Sequence, residues 1–287
     1  MIMITHNDLD GAGCAVLAKR FLNINRIVYC SYESIDGIAR SLNKNETTII
    51  TDIAPSIEVC RYLDGFDDIV LIDHHKTKKW LNKYKWSIFD ETKCGTSLFL
   101  EWLSRNNDID DSVSNFCKSV NAWDMWLLGS EYRNRGENLN DLLRFVGMEK
   151  FVNSFSSDIN ADKTIYKTFM KVLDDKKELF IKETIDKQLK HFKIHKDGLG
   201  NKYVTVTTNE YISEIGNAAL ELNNEIDYVA IISWNRCSLR SKNVDVSEIA
   251  KRLRGGGHYS ASGFMYGSKL KTESLIHRLL GNIGGRK

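Results

Sequence analysis

Three short stretches of the 287-residue chain carry residues able to bind metal ions and act on phosphates. The first is THNDLDGAG over 5–13, where His6, Asp8 and Asp10 alternate. On an extended backbone alternate side chains share one side, and Gly11 and Gly13 then allow a tight turn into a helix. Carboxylate and imidazole together suit Mn²⁺, Fe²⁺, Co²⁺ or Zn²⁺. A calcium loop also uses DxDG, but the repeated acids and the bidentate Glu of an EF-hand are missing. The plainer reading is a polar turn with a helix-capping Asp. The second stretch is TIITDIAPS, with Asp52 at a strand end. Alone it reads as a helix cap; beside the first cluster it reads as a bridge, because paired ions about 3.5–4 Å apart usually share a carboxylate. The third is VLIDHHKTKKW over 70–80. Neighbouring strand side chains point opposite ways, so His74 and His75 cannot both face a core. Asp73 beside them can orient an imidazole by hydrogen bonding.

A fourth stretch, RGGGH over 254–258, suits phosphate rather than metal. Backbone without Cβ atoms can approach an anion closely and turn N–H groups toward it, and Arg254 and His258 add donors. A flexible loop is the alternative. Lys76, Lys78, Lys79, Lys83 and Lys85 crowd after the paired histidines, and Arg236, Arg240, Lys242, Lys251, Arg252 and Arg254 outnumber Asp245 and Glu248. Local positive charge of this kind draws in an anionic substrate such as a short nucleic acid, although any single lysine also serves solubility.

The elements that must position these residues alternate. Strand-like runs at 2–5, 26–31, 47–52 and 68–73 are separated by helical stretches at 13–22 and 35–42 and after Pro55. This pattern predicts an α/β fold, a parallel sheet with helices on both faces. Ligands of such sheets sit beyond the carboxyl ends of the strands, where all three acidic clusters fall. From about 97 to 150 the chain reads as helical, followed by a charged helical stretch over about 160–195. There Ile165, Phe169 and Val172 share one face and Ile181, Ile185, Leu189 and Phe192 another, as in a connecting or a solvated surface helix. Beyond Gly198 and Gly200 the pattern becomes a smaller α+β module with its own core. The expected organisation is a catalytic domain over 1–150, a helical linker over 151–196 and a substrate-binding domain over 197–287.

Composition excludes several classes. A net charge of +2 announces no nucleic-acid coat protein. The six cysteines are scattered without a CxxC pair, which argues against a disulfide framework or structural zinc and for reduced thiols. The start, MIMITHND, lacks the features of a signal peptide, and no apolar run approaches the roughly 20 residues of a membrane helix. The expectation is a soluble cytoplasmic protein with no membrane association and no obligate protein partner; a homodimer is left open.

HNDLDG at 6–11, Asp52, DHH at 73–75 and GGGH at 255–258, in this order, resemble the DHH phosphoesterase superfamily with its C-terminal DHH-associated domain. That superfamily includes two-metal exonucleases, nanoRNases, cyclic-dinucleotide phosphodiesterases and family II pyrophosphatases. The His-x-Asp-x-Asp form is similar to the bacterial oligoribonuclease branch. The resemblance implies that His6, Asp8 and Asp52 hold one metal, and that Asp10, Asp52, His74 and a fourth-motif Asp hold the other. Asp124 in NAWDMW fits that fourth motif, with an exposed helix residue as the alternative; its competitor Asp90, in DETKCGTS, reads as part of a turn and helix start. Asp73 would orient an imidazole and His75 would face the substrate. GGGHYSASG resembles the segment that binds the substrate end away from the metals, implying Arg240, Arg254, Gly255, Gly256, Gly257 and His258; Ser262 stands where many relatives carry Ala, and Arg240 as an ordinary surface residue is the alternative.

The implied activity is hydrolysis of short RNA to mononucleotides in a cleft between the domains. The implied cofactors are two divalent ions, Mn²⁺ before Mg²⁺ or Co²⁺. Alternatives are a phosphodiesterase of cyclic mono- or dinucleotides, a nucleoside bisphosphate phosphatase, or a nucleic-acid binding protein with an inactive site. The intact ligand set argues against the last.

Overall fold

The structure, a computed structural model, describes residues 1–22, 24, 26–188, 192–267 and 273–285. It divides into two compact units, Met1–Met170 and Lys171–Lys287.

The first unit begins β1 (Ile2–His6), α1 (Leu9–Phe21), β2 (Ile27–Cys30), α2 (Ile35–Arg40), β3 (Thr48–Thr51), α3 (Ile57–Leu63) and β4 (Ile69–Asp73). A 3₁₀ helix over Lys76–Lys83 leads to β5 (Ser87–Phe89), then α4 (Gly95–Leu103), α5 (Asp111–Asp124), α6 (Arg133–Val146), α7 (Met148–Ser157) and α8 (Ala161–Thr164). The five strands form one sheet in the order β2-β1-β3-β4-β5, and every pairing is parallel. The anticipated strands are all present; β5 and the 3₁₀ helix are additions.

The central strands are apolar on both faces because helices cover both. Ile2, Ile4, Ile50 and Leu71 pack on one side with Ile35 and Ala39 of α2, Val59 and Leu63 of α3, and Leu81 and Tyr84. The alternate residues Met3 and Ile49 are equally buried, on the side where α1 meets β1 and α4 meets β3 and β4. The order reverses between β1 and β3, since β1 lies between β2 and β3. In doubly wound sheets a ligand crevice opens at such a switch, beyond the carboxyl ends of the two strands.

The segment expected to be a linker packs otherwise. Phe151, Val152 and Phe155 of α7 are fully buried and α7 lies against α1, so this helix is part of the first unit's core. Ile165, expected to share an apolar face with Phe169 and Val172, is 63% exposed and Val172 49%; the side chain of Phe169 lies outside the described residues. Helix α9 (Lys167–Gln188) belongs, from Lys171, to the second unit. There Ile181 and Ile185 pack with Phe192 on a buried cluster, as their spacing predicts; Leu189 lies outside the described residues.

The second unit continues with β6 (His195–Lys196), β7 (Lys202–Thr207), α10 (Ile212–Leu222), β8 (Tyr228–Ser233), β9 (Arg236–Ser241), α11 (Val246–Arg252), β10 (Gly256–Gly257), β11 (Ala261–Met265), α12 (Glu273–Gly281) and a 3₁₀ turn over Ile283–Gly285. Its sheet runs β10-β11-β9-β8-β7-β6, with β7 and β8 parallel and the other pairings antiparallel. All six cysteines are free and buried. Among the described residues no helix is long and apolar enough to cross a membrane.

Candidate metal centre and active site

The carboxyl ends of β1, β3 and β4 deliver His6, Asp52 and Asp73–His75 to one edge of the sheet, at the switch point. The expectation that His6, Asp8 and Asp10 share one extended backbone does not hold. Strand β1 ends at His6, Asp8 is the N-cap of α1 and accepts from Gly11 N–H, and Asp10 lies in the first helical turn. Gly11 and Gly13 therefore do not form the turn. They permit close approach: a Cβ on Gly11 would stand 2.0 Å from His6 O, and one on Gly13 2.4 Å from Thr96 Oγ1.

Two donor sets result, and they share Asp52. His6, Asp8 and Asp52 form one, Asp10, Asp52 and His74 the other, each with ligand atoms within 4.8 Å of one another. His6 Nδ1 lies 2.6 Å from Asp8 Oδ2 and 3.9 Å from Asp52 Oδ2. His74 Nε2 lies 3.2 Å from Asp52 Oδ1, 3.5 Å from Asp10 Oδ2 and 3.6 Å from Asp124 Oδ2. Asp124, the last residue of α5, thus joins the second set. Asp90 instead accepts from the N–H and hydroxyl of Thr92 in a turn.

The electrostatics suit cations. Asp10, Asp52 and His74 are at most 1% exposed. Burial and then the neighbouring carboxylates of Asp10, Asp8 and Asp124 raise the Asp52 pKa well above its ordinary value. Burial, and then Asp10 and Asp8, push Asp124 up to about 7 against the pull of His74. Against its own desolvation, Asp8 is held well below the usual carboxylate range by His6 and Gly11 N–H. Asp52 Oδ2 is buried yet makes no hydrogen bond among the described residues. A buried anionic oxygen without a donor is costly, and a divalent ion within reach of it removes that cost. The oxygen-rich sets, each with one imidazole, fit Mn²⁺ and ions like it.

Backbone geometry serves the same end. Asp52 has φ +57°, a left-handed conformation that costs most residues about 1–2 kcal/mol and that Asp tolerates better. Helix α4 presents its N-terminus to Asp10: Gly95 N–H donates to Oδ2 at 2.6 Å and Thr96 N–H to Oδ1 at 2.7 Å. The free amides and the positive end of the helix dipole hold that carboxylate. Any Cβ on Gly95 would lie 2.8 Å from Asp52 Cβ and 2.9 Å from Asp10 Oδ2. In the sequence CGTS shows only as a helix start, and this contribution does not.

Asp73 is buried behind the paired histidines. Its Oδ1 accepts from His74 N–H, His75 N–H and His75 Nδ1 at 2.7, 3.2 and 2.7 Å. Burial opposes ionisation, but His75 and these hydrogen bonds bring its pKa down to about 2. His75 faces outward, and its Nε2 meets a residue that the sequence does not single out: the Tyr32 hydroxyl, 2.7 Å away. Tyr32 follows β2, a strand end next to β1, and that position is the signal that could have found it. Desolvation of the hydroxyl and the carboxylates of Asp52 and Asp73 raise its pKa well above the ordinary value, so the phenol keeps its proton.

The lysines after His75 are divided. Lys78 Nζ donates to Ala54 O and Pro55 O, and Lys83 Nζ sits 4.8 Å from the Tyr84 ring centre; Lys79 and Lys85 are exposed.

In the second unit, Gly256 and Gly257 pair as β10 with Gly263 and Ser262, so the Gly run is a strand rather than a loose loop. A Cβ on Gly255 would stand 2.1 Å from Gly263 O, and Gly257 has φ +133°. Arg254 is exposed, and Gly255 through His258 are half-buried. Arg240 lies over Gly216, whose added Cβ would be 2.7 Å from Arg240 Cγ, and donates to Ser213 Oγ.

The relatives of this chain agree with the geometry. No family model matches it. Over 91% of its length it is 30% identical to oligoribonuclease NrnB of Bacillus subtilis, of which it covers 71%. The chain belongs to the DHH superfamily of phosphoesterases. The chain is also 24% identical to a 3′,5′-cyclic-nucleotide phosphodiesterase of Helicobacter pylori, over 91% of both proteins. Among solved structures, exonuclease RecJ bound to manganese shares the fold, with a TM-score of 0.59 and 13% identity over 99% of this chain and 90% of that one.

Proposed function

We propose that this DHH protein is a metal-dependent phosphodiesterase that hydrolyses short oligonucleotides to mononucleotides. The observation that carries the reading is the sharing of buried Asp52 by two carboxylate–imidazole sets, in a chain 30% identical to an oligoribonuclease. His6, Asp8 and Asp52 would hold one divalent ion, and Asp10, Asp52, His74 and Asp124 the other, with Mn²⁺ favoured by the imidazoles. Such a pair supplies Lewis acidity, making water a nucleophile at neutral pH and taking up charge on phosphoryl oxygens.

The chain's own residues do the rest. The N-terminus of α4 fixes Asp10, and the left-handed turn at Asp52 aims one carboxylate at both sets. Asp73 fixes the ring of His75, which is assigned to the substrate side near the leaving oxygen. Arg240, Arg254, Gly255, Gly256, Gly257 and His258 are assigned to binding substrate phosphate in the second unit, through N–H groups and cationic side chains.

The resemblance to a cyclic-nucleotide phosphodiesterase supports a second reading, a cyclic substrate at the same centre. Hydrolysis in Mn²⁺ across RNA of about two to twenty nucleotides, matched DNA, cyclic mono- and dinucleotides and a nucleoside 3′,5′-bisphosphate separates them, because cleavage rate then reports which substrate end groups fit. Fastest cleavage of the shortest RNAs is expected. Preference for a cyclic substrate would keep the metal centre and replace the substrate, and silence on all would overturn the enzyme reading.

A further inference from the structure

We propose that Asn121 is a positioning residue for the second metal set, acting through the N-terminus of α4 on Asp10; the inference rests on the two-ion reading above. A helix leaves its first four N–H groups without partners of its own. At the start of α4 these donors are shared between two other helices. Gly95 N–H and Thr96 N–H donate to Asp10 Oδ2 and Oδ1, at 2.6 and 2.7 Å, on α1. Cys94, the N-cap residue, donates its N–H to Asn121 Oδ1, at 2.8 Å, on α5. Of the two polar atoms of the Asn amide only the oxygen accepts, so this bond also fixes which way the amide faces.

Asn121 and Asp124 lie three positions apart on α5, hence on one face of that helix. The face does two things. It brings Asp124 Oδ2 to 3.6 Å from His74 Nε2, and through Asn121 it ties down the helix end that holds Asp10. The Thr96 hydroxyl adds a bond to Asp10 O at 2.7 Å. Cys94, Gly95 and Thr96 are all buried, and a buried N–H without an acceptor is costly. Without the Asn121 oxygen, the start of α4 must shift to find another partner for Cys94 N–H. Asp10 moves with it, because both its carboxylate oxygens are bonded to the same helix end. There is no slack to absorb the shift: even a Cβ on Gly95 would lie 2.9 Å from Asp10 Oδ2 and 2.8 Å from Asp52 Cβ.

The first set is placed by other means. His6 ends β1, and Asp8 is held by Gly11 N–H at the start of α1. Asp52, common to both sets, follows β3 in its own left-handed turn. The loss of Asn121 should therefore reach the ion held by Asp10, His74 and Asp124 and spare the one held by His6 and Asp8.

The test titrates the metal-free wild type, Asn121→Ala and Asn121→Asp with Mn²⁺, by calorimetry and by the electron paramagnetic resonance signal of coupled ions. Asn121→Ala should bind one Mn²⁺ roughly 10–100-fold more weakly, the usual loss when a group that orients a metal ligand is removed, and the other with unchanged affinity. Its coupled signal, which needs both ions, should appear only at correspondingly higher free Mn²⁺. Asn121→Asp keeps an accepting oxygen for Cys94 N–H and adds negative charge, which favours a cation, so it should bind both ions at least as tightly as wild type. Unchanged affinities in Asn121→Ala, equal weakening of both ions, an alanine variant that does not fold, or an aspartate variant that fails to restore tight binding would each overturn the role of Asn121, while two Mn²⁺ on the wild type leave the two-ion reading standing. Fewer than two Mn²⁺ on the wild type would overturn that reading and this inference with it.

Discussion

The two units treat polar groups in opposite ways. The first buries Asp10, Asp52, Asp73 and His74 to 1% exposure or less and surrounds Asp52 with other carboxylates. The second leaves Arg254 exposed and Gly255 through His258 half-buried. Buried like charges are tolerable where a cation completes the site; partly exposed donors suit an anion that comes and goes. On the function proposed above, the first is a centre that holds metal ions and the second a surface that binds phosphate, and substitutions should affect the two units in different ways.

The largest effect should come from Asp52→Asn, which keeps the shape and tolerates the left-handed turn. Hydrolysis should fall at least about 10³-fold, the scale lost when a group that acts in the transition state is removed. The metal-free variant should melt roughly 2–4 °C higher than wild type, the shift that about 1 kcal/mol produces in a domain of this size, because a buried charge is gone. Added Mn²⁺ should raise its melting temperature less than that of wild type. A variant destabilised without metal and normally stabilised with it would remove Asp52 from the centre.

Next is Gly95→Ala. The new Cβ would displace Asp10 and Asp52, the atoms it meets at 2.9 and 2.8 Å. A shift of about 1 Å can cost 10²-fold in rate, and Mn²⁺ affinity by calorimetry should weaken in parallel. Unchanged affinity would mean that α4 does not shape the site.

A smaller effect is expected for His258→Ala. It should raise KM about 10-fold on oligonucleotides, with little change on a minimal chromogenic diester, since a group that binds phosphate equally in ground and transition states contributes uniform binding. Equal losses on both substrates would undo the contrast between the units.

The smallest catalytic effect belongs to Gly255→Ala. Its Cβ would meet Gly263 O at 2.1 Å, and overpacking of this kind costs about 1–3 kcal/mol. The second unit should unfold at lower temperature while Mn²⁺ binding persists; loss of both together would show that the metal centre depends on the second unit's fold.

Much of the first unit and its centre is legible in the amino-acid sequence, for physical reasons. Strands β1, β3 and β4 are continuous apolar runs bounded by polar clusters, and a parallel sheet places those clusters on one edge. His6, Asp52 and His74 therefore meet as their positions predict. Asp124 lies far along the chain and arrives through the packing of α5, so only family resemblance points to it. The grip of α4 on Asp10 is hidden because backbone N–H groups carry no residue signature. Tyr32 is hidden because a tyrosine after an edge strand reads as ordinary surface. The glycines of the first motif read as turn formers, whereas packing against His6 O and Thr96 decides them. Helix α7 reads as linker because a surface helix and a core helix share one amphipathic spacing.

The most direct test of the two-ion centre is a count of Mn²⁺ bound by the metal-free protein, by calorimetry with electron paramagnetic resonance to detect coupling between neighbouring ions. Ions sharing one carboxylate lie about 3.5–4 Å apart, so two Mn²⁺ per chain with a coupled signal are expected, and the coupling should vanish in Asp52→Asn. One uncoupled ion per chain, or two whose coupling survives that substitution, would contradict the sharing of Asp52 on which the reading of this site depends.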